Sequence, residues 1–260
     1  WEAAQAIKAI QVTAPSKGQA LVAKLDLSRF AQRIEVAENL WEAARAIEAI
    51  QEIEPSRGQA LVAELDLSRF AQRIEVAEDL WNSAGAITTL QKFDPSKGLA
   101  LVAELDLSRF AQRIVTFKNP WPAAWAIEAI QEIDPSKGQA LVAELDLSCF
   151  AQCIEEAENP GDAARAITII QKTDPSKGQA LLAALDLSRF AQRIEAADPG
   201  DAAKAITTIQ KTDPSKGLAL VAELDSEYIQ GLVDLFASSD KSSKEKDEVL
   251  TLISDQHTSR

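Results

Sequence analysis

The sequence is poor in the residues that most often do chemistry. Among 260 residues there are two cysteines, one histidine and no methionine. Two cysteines give no disulfide framework, which points to a reducing, cytoplasmic (intracellular) setting. The single histidine, His257, lies in the tail, so a tetrahedral metal site cannot be completed and no usable His-based catalytic pair exists. No metal or cofactor is expected. No apolar run approaches the roughly 18 residues of a membrane span, and no charged-then-apolar leader opens the chain. A net charge of −13 leaves no basic stripe to displace counterions, which argues against nucleic acid as a partner. The chain reads as soluble and not as an enzyme.

What the sequence has is repetition. Asp66-Leu67-Ser68-Arg69-Phe70-Ala71-Gln72-Arg73-Ile74 recurs almost letter for letter from Asp26, Asp106, Asp146 and Asp186, with a shorter echo from Asp225. A spacing of about forty residues marks stacked supersecondary units that bury their core between neighbours. The repeats run 1–40, 41–80, 81–120, 121–160, 161–199 and 200–225, followed by C-terminal capping helices in 226–254. A polar linker is expected at 238–243, a last amphipathic helix from Lys244 to Ser254, and a disordered tail at 255–260. Trp1 stands at the repeat position of Trp41, Trp81 and Trp121 with no cap before it, and the chain has no methionine. It therefore reads as a fragment of a longer array.

Residues 41–80 serve as the type repeat. Ala43, Ala46, Ile47, Ile50 and Ile53 fall on one helical face, and Asn39 with Glu42 forms a capping box at its start. Glu54-Pro55, written Asp-Pro in later repeats, ends that helix and starts another, whose core face carries Gly58, Leu61, Val62 and Leu65. The stripe of Leu67, Phe70, Ala71, Ile74 and Ala77 points roughly 165° away from the Leu61–Leu65 stripe on a continuous helix. A break capped by Asp66 removes that conflict. Three short helices per repeat are expected, with a helix pair whose second member is long and bent as the alternative.

At this level the chain resembles the HEAT, armadillo and tetratricopeptide class of helical repeats. The period fits HEAT and armadillo lengths better than the shorter tetratricopeptide unit. The resemblance implies an all-α, right-handed α-solenoid with a C-terminal capping helix. It also implies a protein or peptide partner on one face, the chain serving as a sensor or scaffold arm.

Four arginines, Arg69, Arg73, Arg109 and Arg113, build two rows at helical spacing. They are candidates for an anion or acidic-peptide track, with an internal lattice against Asp66, Glu64 and Glu75 as the competing reading. The fourth repeat replaces both arginines by Cys149 and Cys153. Nearby, Val115-Thr116-Phe117-Lys118 replaces Glu-Val-Ala-Glu, and Trp125 joins Trp121 one turn apart. Repeat four carries eight acids against one base, whereas repeat three carries three against five. Phe117, Trp121, Trp125, Cys149 and Cys153 are therefore the expected contact patch. Arg45, Glu48 and Glu52 of the first helix are expected to set specificity, and a spacer without a tight ligand is the alternative function. A catalytic α/α ring is the least favoured reading.

Overall fold

The computed structural model describes residues 2–238 and 248–252, with side chains for 6–236 and 248–252. Every repeat forms three helices. In the first, α1 (Glu2–Thr13), α2 (Pro15–Ala23) and α3 (Leu27–Glu35) follow one another. The second has α4 (Leu40–Ile53), α5 (Pro55–Glu64) and α6 (Leu67–Val76), and the third has α7 (Leu80–Phe93), α8 (Pro95–Glu104) and α9 (Leu107–Val115). The fourth continues with α10 (Pro120–Ile133), α11 (Pro135–Glu144) and α12 (Leu147–Glu155), the fifth with α13 (Pro160–Thr173), α14 (Pro175–Ala184) and α15 (Leu187–Glu195). The sixth holds α16 (Pro199–Thr212), α17 (Pro214–Glu223) and α18 (Ser226–Ser238). The long bent second helix does not form.

The breaks have local causes. Glu54 is extended at φ −145° and ψ 92°, the conformation demanded of a residue before proline, and Pro55 opens α5. Leu65 and Asp66 are both extended, and the Asp66 carboxylate accepts from Arg69 N at 3.1 Å to start α6. One such cap contributes about 1 kcal/mol. Asn39 likewise accepts from Glu42 N at 3.0 Å. Glu54 makes no side-chain cap to α5, while Asp94 accepts from both Ser96 N and Lys97 N. The shorter side chain reaches the free amides and the longer one does not.

Contacts divide the chain into two compact units, one of Trp1–Arg113 with Trp125–Glu144 and one of Ile114–Ala124 with Leu145–Arg260. Within the first, α1, α4 and α7 stack in a row, and the third helix of each repeat packs on the second helix of the next, α3 on α5 and α6 on α8. The second unit repeats the scheme with α13 on α16, α12 on α14 and α15 on α17. This is the neighbour-to-neighbour packing of an all-α solenoid. Phe70, Phe110, Phe150 and Phe190 are fully buried, as are Leu61, Val62 and Ile74. Each such side chain contributes roughly 1.5–3 kcal/mol by leaving water.

The first and second helices of a repeat meet at a glycine. A Cβ on Gly58 would lie 2.6 Å from Gln51 Cα and 2.0 Å from its Oε1. Only glycine permits that approach, and its Cα–H faces the buried amide oxygen, which has no conventional donor. Gln91 with Gly98 and Gln210 with Gly217 repeat the arrangement.

Of the C-terminal expectations, α18 runs through Ser238, and residues 248–252 are helical with Val249 and Leu252 buried. Glu248 pairs with Lys211 at 2.6 Å. The rest of the expected linker and last helix, the tail at 255–260 and Trp1 lie outside the described residues.

Candidate functional site

The arginine rows form a lattice between repeats. Glu35, Glu75 and Glu155 each lie in the last turn of a third helix and are 3–4% exposed. Each carboxylate accepts the backbone N–H of the next repeat's N-cap aspartate: Asp66 at 2.8 Å, Asp106 at 2.9 Å and Asp186 at 2.8 Å. The same carboxylates pair with Arg69 at 3.4 Å, Arg109 at 3.6 Å and Arg189 at 3.3 Å. The second arginines of repeats two and three reach back to carbonyls. Arg73 donates to Ala37 O at 3.1 Å, and Arg113 donates to Ala77 O at 3.1 Å and Glu78 O at 3.0 Å. Ser68 donates to Glu104 at 2.6 Å and Ser108 to Glu144 at 2.9 Å. A buried carboxylate is tolerable here because a backbone amide and a guanidinium both complete it.

This latch changes at Val115. Valine stands at the Glu75 position, and Cys149 and Cys153 stand at the two arginine positions. Cys153 donates to Val115 O at 3.3 Å. Burial raises the Cys153 thiol, with Cys149 and Glu156 adding to the effect. The exposed Cys149 is raised mainly by its hydrogen bond to Asp146. Both are therefore thiols at neutral pH, which makes them poor nucleophiles. Their Cβ atoms, at helical i, i+4 spacing of about 5–6 Å, exceed the roughly 3.5–4.5 Å of a disulfide.

The tryptophans follow a second inter-repeat rule. Trp41, Trp81 and Trp121 each pack on the residue one turn into the next first helix. Trp41 lies against Gly85, where an added Cβ would come within 2.7 Å of its Cδ1. Trp81 meets Trp125 with ring centroids 4.4 Å apart, tilted 47°. In the second unit, Arg165 lies over Trp121 at 4.2 Å. Trp121 and Trp125, expected as a one-turn pair in the contact patch, are both half-buried, and each stacks on another repeat. Phe117 is also half-buried. Among the described residues the large exposed aromatics are instead Trp41, 38% exposed, and Trp81, 41% exposed. Arg45 covers part of Trp41 at 4.9 Å.

Charged side chains on the first helices also pair across repeats, Lys8 with Glu52 at 2.6 Å and Lys92 with Glu48 at 3.2 Å. The residues expected to set specificity therefore serve packing as well. The sequence reading weighed Glu75 as a lattice partner of the arginines but missed that these glutamates also accept a backbone amide of the next repeat. The signal was present in Glu35 and Arg69 recurring together at fixed separation, with both lost at Val115 and Cys149.

A groove of about 580 Å³ lies beside the ends of α6 and is lined by Glu38, Asn39, Arg73, Val76, Glu78 and Asp79. Arg73 is committed to its carbonyl there. Among the described residues no three of His, Cys, Asp or Glu converge as metal ligands would, and no helix is long and apolar enough to cross a membrane.

The fold defines an all-α tandem helical-repeat protein. No protein-family model, no curated protein and no solved structure matches the chain.

Proposed function

We propose that the array is a non-catalytic module that recognises a protein or peptide along the row of its first helices. The observation that carries this reading is the partial exposure of Trp41 and Trp81 in successive repeats. Each indole is seated on the next repeat, so its orientation is fixed before any partner arrives, which lowers the ordering cost of binding. Aromatic side chains presented in this way dominate interface energetics. The repeat of three helices and about forty residues supports an armadillo-like over a HEAT-like kinship.

A second reading, a spacer that holds flanking segments apart, is favoured by the internal pairing of Lys8, Glu48, Glu52 and Lys92. Selection of peptides from a displayed library on the full chain separates the two. Selected peptides should lose at least about tenfold in affinity for a Trp41→Ala, Trp81→Ala variant of unchanged helicity, as removal of an aromatic anchor predicts. Phe117→Ala and Trp125→Ala provide a second pair, testing the 115–153 patch. If no peptide is selected, the spacer reading stands; if all variants bind a selected peptide equally, recognition lies away from these aromatic side chains.

A further inference from the structure

The third helices are bonded to one another by the same polar latch at most joints. Glu35 holds Asp66 N and Arg69, Glu75 holds Asp106 N and Arg109, and Glu155 holds Asp186 N and Arg189. Even at the degenerate sixth repeat, Glu195 accepts from Asp225 N at 2.6 Å, and Tyr228 donates to Ile194 O at 2.9 Å where an arginine would have been. The joint at Val115 alone replaces the glutamate and both arginines together.

Replacing a buried ion pair by apolar groups of similar volume is often neutral or stabilising. That exception does not cover this joint. The valine side chain cannot accept from Asp146 N, and each cysteine is far smaller than the arginine it replaces, so the half-buried stem at the second arginine position is lost with the charges. A thiol is a weaker donor than a guanidinium, and the Cys153–Val115 bond stands in place of a charge-assisted network.

We propose that the Val115–α12 joint is a built-in weak point of the array, at which α12 lifts from Val115 by local opening while the other third helices stay latched. Val115, Cys149 and Cys153 create it. Opening bares Cys153, which is half-buried and bonded to Val115 when the joint is closed, so the molecule carries its own reporter. Regions that open at lower free energy than the whole are where a partner or a pulling force acts first.

Two measurements on the full chain test this. The first compares Cys149→Ser with Val115→Glu, Cys149→Arg; Cys153 is the only thiol in both, and the latter rebuilds the Glu75–Arg109 pair. Labelling of Cys153 by a neutral thiol reagent in native buffer should slow about tenfold or more with the latch rebuilt, as expected for suppressed local opening. The second is amide exchange in the unaltered chain. Asp146 N–H and the amides of α12 should exchange at least about tenfold faster than Asp106 N–H and α9, or Asp186 N–H and α15. Equal labelling in the two variants, or α12 protected as well as its counterparts, overturns the proposal and shows that apolar packing closes the joint as firmly as the latch does elsewhere.

Discussion

The joints at Glu75 and at Val115 are built from nearly the same helix sequence. At Glu75 a buried carboxylate gathers the Asp106 amide and Arg109, and Arg113 binds the carbonyls of Ala77 and Glu78. At Val115 these are replaced by a thiol on one carbonyl. Phe110 and Phe150 are equally buried beside both. The apolar core therefore does not distinguish the two joints. The polar layer does, and it changes as a set because its members depend on one another. A buried glutamate without its arginine costs more than losing the pair together, although the backbone amide of Asp146 then loses its glutamate acceptor.

The comparison can be broken most strongly by dismantling the Glu75 joint. Glu75→Val alone leaves Asp106 N–H without its acceptor and should destabilise the chain by about 1.5–3 kcal/mol, the range for a lost hydrogen bond to a charged group. The shift in urea midpoint at constant slope measures it. The converse change sharpens the contrast. Val115→Glu alone should destabilise, and adding Cys149→Arg should recover it, with a coupling of roughly 1–3 kcal/mol in a double-mutant cycle. Additive effects would show that these positions do not meet.

A smaller effect concerns the caps that both regions share. Hydrogen bonds from the Ser96 hydroxyl and the Lys97 amide hold Asp94 below the usual carboxylate range, and Asp134, Asp174 and Asp213 are lowered in the same way. A depressed carboxylate stabilises the fold above its unfolded pKa and loses that contribution as pH falls through the folded value. Asp94→Ala should therefore cost about 1 kcal/mol at neutral pH. The gap should narrow below about pH 4 as the aspartate is protonated. Unfolding midpoints at pH 7 and pH 3 give the comparison. The smallest effect is expected for Cys149→Ser, within about 0.5 kcal/mol, since an exposed side chain with one local bond contributes little. A large loss there would reveal packing around Cys149 that its exposure does not suggest.

Much of the fold was legible because it is locally encoded. Asp66 marks a helix start by its capping carboxylate and Pro55 by its ring, and the opposed stripes of Leu61 and Phe70 required a break between them. The tryptophan surface was less legible. Spacing placed Trp121 and Trp125 one turn apart, but what covers each depends on the next repeat, where position 85 is glycine, 125 tryptophan and 165 arginine. Trp41 and Trp81 remain partly exposed, whereas Trp121 and Trp125 are half-buried. The glutamate latch was half legible, because the arginine rows suggested a lattice while the backbone amides they share with Glu75 leave no trace in side-chain pattern.

The sequence by itself determined the repeat length, the three helices and their buried faces, since caps, prolines and apolar periodicity act within one or two turns. Only the tertiary structure decided which polar and aromatic groups are consumed between repeats and which remain exposed. That outcome depends on residues more than thirty positions apart, Glu75 with Arg109 or Trp81 with Trp125, meeting when successive repeats stack.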